Sequence, residues 1–482
     1  MIDFLESTLS EFKKCFSRTA TYKWFVIVIL GLLTRTDQLG VTSFIRSLGL
    51  KEKCYEPLIH FFRSTAYCLN DIKKVWISIV GKYDKLFHLD GRVLLLGDGT
   101  KVAKEGKKMP GVQKFYQESE NISKSPYIFG HMFGGLAAVI GTVNAYFAVP
   151  ISMGIHQGLS AIAGWDESLS DRDKSHVVRM IENGYEAAQI LGRAILCLDR
   201  YFLTVPSLKR LAELNAGTKL LEIITRAKNN CIAYEKPEPV TGKRRGRPRK
   251  RGNAVKLKTL FQTRKEDFIK AKARMYGSEE EVSYLCLDLL WGTGLYYELR
   301  FVLVDSKRGK GIFVSTDLSL DPVKIIEGYS IRFSIESTFR ESKQQTGTYR
   351  YHFWTSCLPK LNRFKKKDEA SNLEKVTDEK DKETILATVD ATERFVLFSS
   401  IAIGLTQMIA LDKKLSENIS KHRYLRTKSR IKVSEATVLE YMRKNLFRLL
   451  MLHPQSELTK IILEVTKTDS EDESPESGEN AA

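Results

Sequence analysis

The stretch Gly328-Tyr-Ser-Ile-Arg-Phe-Ser-Ile-Glu-Ser-Thr-Phe-Arg-Glu-Ser-Lys343 decides how the rest of the chain is read. Within it, Tyr329, Arg332, Glu336 and Lys343 are separated by gaps of 3, 4 and 7. At roughly 100° per residue, one helix through the stretch puts all four side chains within about 60° of one another. A phenol, a guanidinium, a carboxylate and an ammonium on one stripe make a poor core. They suit a site that holds a phosphate near a metal; the competing reading is an ion-paired surface helix. Glu327 and Glu341 turn away from the stripe and are expected to be solvated or paired.

Two distant aspartates can complete such a site. Asp98 follows Val93-Leu-Leu-Leu96-Gly97, and Asp199 follows Ala194-Ile-Leu-Cys-Leu198. A carboxylate at the end of a buried strand emerges where ligands bind in α/β folds. Two such ends on neighbouring strands can place two carboxylates on one divalent ion, and Mg²⁺ prefers oxygen ligands. Two ions about 4 Å apart can activate a water and steady the leaving 3′ oxygen in phosphodiester cleavage. Taken singly, either aspartate reads as a strand-end turn residue. With an acid-bearing helix downstream, Asp98, Asp199 and Glu336 form a candidate metal-binding triad.

The organisation of the 482 residues fits two or three domains. Residues 1–88 read as helices, with apolar residues at three- and four-residue spacing, as in Phe4, Leu5, Leu9 and Phe12. The piece 38–50 has the pattern of a helix, a turn and a helix start, which suits either an ordinary bundle or a DNA-binding head. Residues 89–228 alternate: a strand at 92–97 ending at Asp98, strands at 128–140 and 146–153, a helix at 176–191, and strands at 193–198 and 219–225. That is an α/β layout with a mixed central sheet. Residues 229–318 interrupt it with a basic stretch, a hairpin of 282–290 and 296–305 around Trp291-Gly-Thr-Gly294, and a strand at 312–316. Residues 319–467 return to helices, with a polar stretch at 363–383 expected to be a mobile loop and an apolar helix at 385–410. Residues 468–482 carry six acids and no base and are expected to be disordered.

The net charge of +18 points to a polyanionic partner. Residues 243–274 hold 14 Lys and Arg against two acids, so this window supplies +12 of the +18. It contains Arg245-Gly-Arg-Pro248, followed by Arg249 and Lys250. An extended Arg-Gly-Arg-Pro either enters the narrow minor groove of A·T-rich DNA or belongs to a basic loop on phosphates. Arg226 and Lys228 follow the last core strand and are candidate phosphate ligands on the edge that should carry the triad. The seven cysteines are scattered and odd in number, which suits a reducing cytoplasm better than a disulfide scaffold. Residues 125–165 lack any Asp, Glu, Lys or Arg, but their many glycines argue for buried sheet and against a membrane segment.

The spacing Tyr329, Arg332, Glu336, Lys343 matches the Y-(2)-R-(3)-E-(6)-K signature of a class of bacterial insertion-sequence transposases. The surroundings resemble it too: Ser315-Thr-Asp-Leu318, Gly97-Asp-Gly-Thr100 and Leu198-Asp-Arg-Tyr-Phe202. The resemblance runs from about residue 40 to residue 410 and implies a ribonuclease-H-like catalytic core. In it Asp98, Asp199 and Glu336 would bind two Mg²⁺ or Mn²⁺ ions, and Tyr329, Arg332 and Lys343 would position DNA. It implies a β-rich insertion between the second aspartate and the glutamate, for which the 137-residue gap has room. Some members carry a Trp just upstream of the Ser-Thr pair; here Phe313 lies nearest. The implied activity is cut-and-paste transposition, in which water and then a DNA 3′ hydroxyl attack phosphodiesters. The implied partners are double-stranded DNA, as transposon ends and target, and a second protomer on that DNA, in the bacterial cytoplasm at the nucleoid. The rivals are a nuclease of the same core without strand transfer and a DNA-binding protein without catalysis.

Overall fold

Val93 to Leu96 are buried on both faces of their strand, the signature of a position at the middle of a sheet. Around them a computed structural model of the chain, which describes residues 1–117, 125–238, 248–364, 370–421, 424–426 and 432–466, forms a mixed sheet. Its core strands are β1 (Arg92–Ala103), β2 (Tyr127–Thr142), β3 (Ala145–Gln157), β4 (Ala194–Leu198) and β5 (Leu221–Arg226). The order is β3-β2-β1-β4-β5: antiparallel from β3 to β1, then parallel through β4 and β5. Helix α1 (His176–Leu191) makes the crossover into β4 and packs on β1, β2 and β3. This is the α/β, ribonuclease-H-like core that the resemblance implied.

The boundary at Asp98 differs from the sequence reading. β1 does not stop at Asp98 but runs on to Ala103, because Asp98 and Gly99 keep pairing with Gly135 and Gly134 of β2. Gly97-Asp-Gly99 looks like a turn in sequence, yet a partner strand rich in glycine lets the extended ladder continue.

The insertion adds α2 (Leu257–Thr263), β6 (Ile269–Met275), β7 (Ser278–Trp291), β8 (Tyr297–Ser306) and β9 (Gly309–Ser315). β6 to β9 are a continuous antiparallel meander. β9 then pairs with β5 through Phe313 opposite Arg226, Val314 opposite Thr225 and Ser315 opposite Ile224. The β-rich insertion therefore extends the core sheet. Beneath it Leu257, Leu260 and Phe261 of α2 join Leu285, Leu299, Phe301 and Leu303 in one apolar cluster.

Two compact units are present. The sheet unit holds Trp76–Arg340 and Trp354–Val389. The helical unit joins Met1–Val75, Glu341–Phe353 and the described residues after Val389. Its core is aromatic: the Phe398 ring lies 5.3 Å from Phe25 and 5.6 Å from Phe61. In the 38–50 piece the only helix is Thr42–Leu48, closed by Gly49 at φ 60°. Residues 38–41 are not helical, since Asp37 accepts the Leu39 N–H and Gly40 sits at φ 70°. The long helix Glu379–Leu411 starts inside the stretch expected as a loop. It is apolar enough to cross a membrane, but 94% of its apolar window is buried within the protein. Residues 365–369 of that expected loop and the acidic stretch 468–482 lie outside the described residues.

Candidate active site

Gly97 of β1 faces Leu198 of β4 in a parallel ladder, so the next residues along the two strands are Asp98 and Asp199. Neighbouring strands lie about 4.8 Å apart, so the two aspartates are side by side along the chain paths, and the Asp199 charge acts on Asp98. Asp199 heads a short 3₁₀ turn, Arg200–Phe202, and its carbonyl accepts the Thr225 hydroxyl at 3.0 Å.

Both aspartate segments rest on one pair of buried imidazoles. His156 of β3 and His176 at the start of α1 meet Nδ1 to Nδ1 at 2.7 Å, and Asn183 reaches His156 Nε2 at 3.2 Å. His176 lies against Gly99, where a Cβ would come within 2.9 Å of its Nε2, and its ring is 5.1 Å from Phe202. A Cβ on Gly134 would meet the His156 ring at 2.2 Å, so glycine there makes room for the pair. His156 is a satisfied core residue, and His176, which the sequence reading missed, joins it behind both aspartate segments; the available signal was a histidine at the head of a helix that follows the paired glycines.

The decisive stretch is not one helix. α3 (Pro322–Ile331) ends with Arg332 as its C-cap, and α4 (Ser334–Glu341) restarts two residues later. A π-helical turn, Ser342–Thr346, then carries Lys343. The single stripe is thus broken into three pieces. The first two still bring three of the four residues together. Arg332 Nη1 donates to Asp98 Oδ2 at 3.0 Å and Nη2 to Glu336 Oε1 at 2.7 Å. Its guanidinium carbon lies 5.8 Å from the centre of the Tyr329 ring, which packs 5.0 Å from Phe313. Lys343 belongs to the helical unit, with its Nζ 5.9 Å from the Tyr349 ring centre. There the π-turn is gripped by three side chains. Arg35 donates to the Thr346 carbonyl, Gln38 to Gln344 at 2.8 Å and Arg443 to Gln345 at 3.1 Å.

Charge sets the protonation states. Burial raises the Asp98 carboxyl to about 6, helped by Glu336 and Asp199 and opposed by Arg332 and the Gly99 N–H. Burial alone would lower Arg332, but Asp98, Tyr329 and Glu336 outweigh it and hold the guanidinium charged. Tyr329 is pushed up to about 12, first by burial, with Asp199 adding to it and Arg332 and Arg226 opposing. Arg332 Nε is buried with no hydrogen-bond partner.

Other predicted residues are distributed as follows. Arg226 ends β5, facing Phe313, and Lys228 is exposed just beyond it. Arg249 and Lys250 are exposed, whereas Arg245 and Arg247 lie outside the described residues. Glu327 is paired, accepting the Arg274 N–H at 3.2 Å and meeting Lys324 at 3.2 Å. Ser315-Thr-Asp317 is a structural pin. Asp317 binds Arg92 at 2.5 Å, while Thr316 donates to Glu222 at 2.5 Å and accepts the Ile223 N–H at 2.9 Å.

The donor set of three carboxylates is chemically right for Mg²⁺ or Mn²⁺. Among the described residues, however, no three His, Cys, Asp or Glu side chains stand as a ready-made metal cluster. The Arg332 guanidinium is bonded to an oxygen of Asp98 and an oxygen of Glu336.

No curated protein matches the chain closely enough to serve as a relative. Residues 11–280 match the family described as DDE superfamily endonuclease, a span that contains Asp98 and Asp199 and stops before Glu336. With more than half of its residues inside that match, on a ribonuclease-H-like sheet that sets two aspartates side by side, the chain belongs to the DDE superfamily endonucleases, nuclease-type enzymes whose substrate is DNA.

Proposed function

We propose that the protein is a transposase that excises an insertion sequence and joins it to target DNA. In this reading Asp98, Asp199 and Glu336 hold divalent cations, and Tyr329 and Arg332 hold the scissile strand. The observation that carries it is the tie from Glu336 through Arg332 to Asp98, itself beside Asp199 on the next strand. That tie extends the two-aspartate arrangement to a third acid, in the spacing of the transposase signature.

When bound, Mg²⁺ or Mn²⁺ supplies positive charge at the phosphoryl oxygens and makes water a stronger nucleophile at neutral pH. The chain's own residues do the rest. Asp98 is fixed by strand backbone and Asp199 by the turn that directly follows the paired strand, so the two residues are held in a set register. Asp98, near 6, is mostly ionised at pH 7. Arg332 remains a cation, and a guanidinium is a natural fork for two phosphate oxygens. Tyr329 keeps its proton at neutral pH and can donate it in a hydrogen bond to a phosphate oxygen. Arg226, which ends β5, and the exposed Lys228 just beyond it would grip the departing strand, and the basic insertion adds sequence-independent attraction for duplex DNA. Strand joining repeats the first step with a DNA 3′ hydroxyl in place of water, on two ends held by two protomers.

A plasmid carrying the coding sequence with its flanking DNA, incubated with protein and Mg²⁺, tests the reading. Excised and rejoined products are expected, and Asp98→Ala should abolish them. Cleavage without any joined product would leave a nuclease, and equal cleavage by the variant would remove Asp98 from the chemistry.

A further inference from the structure

Arg332 is a cation held where the carboxylates would hold a metal. It spends one terminal nitrogen on Asp98 at 3.0 Å and the other on Glu336 at 2.7 Å, with its side chain only 12% exposed. Both interactions are charge-assisted and close, so they compete with any other cation for the same oxygens. The guanidinium is incompletely satisfied: its Nε is buried and unpartnered. A buried donor without an acceptor is costly, and an oxygen-rich ligand delivered to that place would relieve it. The backbone at this point is also a break, with Arg332 capping α3 and Phe333 lying half exposed before α4 begins. Changing the side chain's direction there disturbs no helical turn on either side.

We propose that Arg332 is a latch that closes the carboxylate site in the resting protein, opened when a DNA phosphate draws the guanidinium off Asp98 and Glu336, so that metal and DNA bind cooperatively. The proposal rests on the metal-site reading above and adds its regulation. The latch keeps the half-buried Asp98 and the partly exposed Glu336 neutralised between events. It also makes the free protein a poor metal binder, so that cleavage chemistry assembles only on DNA. A ligand shifts such an equilibrium only through its differential affinity for the two arrangements. Here that difference is explicit: Mg²⁺ and Mn²⁺ favour the carboxylates without Arg332, and a phosphate favours Arg332 without the carboxylates. Reciprocity follows, with DNA raising metal affinity by the same factor as metal raises DNA affinity.

The test needs no turnover. Mn²⁺ binding to the full-length protein is read from the loss of the free-ion electron paramagnetic resonance signal. Wild type, Arg332→Gln, Arg332→Lys and Asp98→Asn are compared, each with and without a duplex oligonucleotide. Wild type alone should bind Mn²⁺ weakly, and DNA should tighten it about tenfold or more. Arg332→Gln should bind Mn²⁺ tightly without DNA and gain little when DNA is added. Arg332→Lys, which keeps the charge but can span only one carboxylate, should fall between them and serves if the glutamine variant does not fold. Arg332→Gln or Arg332→Lys binding Mn²⁺ no tighter than wild type, while Asp98→Asn abolishes binding, overturns the latch and leaves the metal site standing. Mn²⁺ binding that survives Asp98→Asn unchanged overturns the metal-site reading itself.

Discussion

Arg92 and Asp317, 225 residues apart in the chain, close on each other at 2.5 Å in a buried ion pair. Arg92 opens the strand that carries Asp98, and Asp317 lies just ahead of the helix that carries Tyr329. The pair therefore joins the two halves of the candidate site at their roots. Hydrogen bonds from Ser319 and the charge of Arg92 hold the Asp317 carboxyl down to about 2, against the opposing effect of burial. Asp317→Ala leaves a buried guanidinium with only Asp90 to meet it, and should cost about 3–5 kcal/mol of stability at pH 7. Urea unfolding of the two proteins measures this; a midpoint within error of wild type would contradict it.

The imidazole pair behind the aspartates predicts an acid-sensitive stability. Burial first, then Arg179, holds His176 down to about 4. His156 is held well below 6.5 by burial, Arg179, His176 and Arg172, with Asn183 bonded to its other nitrogen. Below 6.5 the unfolded chain takes up protons that the folded chain refuses. The stability is therefore complete above 6.5 and is lost as pH falls towards 4. Asp98 runs the other way, because its raised pKa favours the folded state as pH drops through about 6. Comparing wild type with His176→Asn cancels Asp98, which both contain. The wild type should lose about 2–3 kcal/mol more than the variant between pH 7 and 4.5. Parallel pH profiles in urea titrations would count against the pair.

Tyr329→Phe separates packing from chemistry. The ring keeps its place beside Phe313, so the melting temperature should stay within a few degrees of wild type. Loss of the phenol should slow plasmid cleavage roughly 10- to 100-fold. An unchanged cleavage rate would reduce Tyr329 to a core residue.

The π-turn that carries Lys343 depends on Arg35, a guanidinium only 1% exposed that is bonded to the Thr346 carbonyl and to Ser43. Arg35→Ala strands that carbonyl and should destabilise the protein by about 1–3 kcal/mol. Amide hydrogen exchange should show the loss concentrated in 342–348, and protection there equal to wild type would refute the anchoring role.

Much of this architecture could be read from residue order. Helix 176–191 and the hairpin around Trp291 lie close to where sequence put them, the helix because its apolar residues repeat at 3.6 and the hairpin because two apolar strand runs flank Gly292-Thr-Gly294. Asp98 and Asp199 could be found because each follows a run of buried strand residues. The break at Arg332 could not: no Pro or Gly marks it, and an unbroken helix satisfies the same spacing. Nor could the passage of β1 beyond Asp98, since only the glycines of a strand more than thirty residues later keep Asp98 and Gly99 extended. The Arg332 bridge was hidden for a third reason. Spacing placed Arg332 and Glu336 together, but that Asp98 would share the same guanidinium depends on which strand end the helix break overlies.

The seam between β5 and β9 has a mechanical meaning. Phe313 opposite Arg226 and Ser315 opposite Ile224 are ladder pairs, tightened by Ala227 N–H on Ile312 at 2.8 Å and Thr316 N–H on Ile223 at 3.1 Å. Swinging the meander about that line would tear backbone bonds, so it cannot work as a hinged arm. Any grip it takes on a duplex is rigidly indexed to Asp199, two strands away. Shortening or lengthening the meander's attachment should consequently move where the phosphodiester is cut, in whole-nucleotide steps, before it changes how tightly the duplex is held.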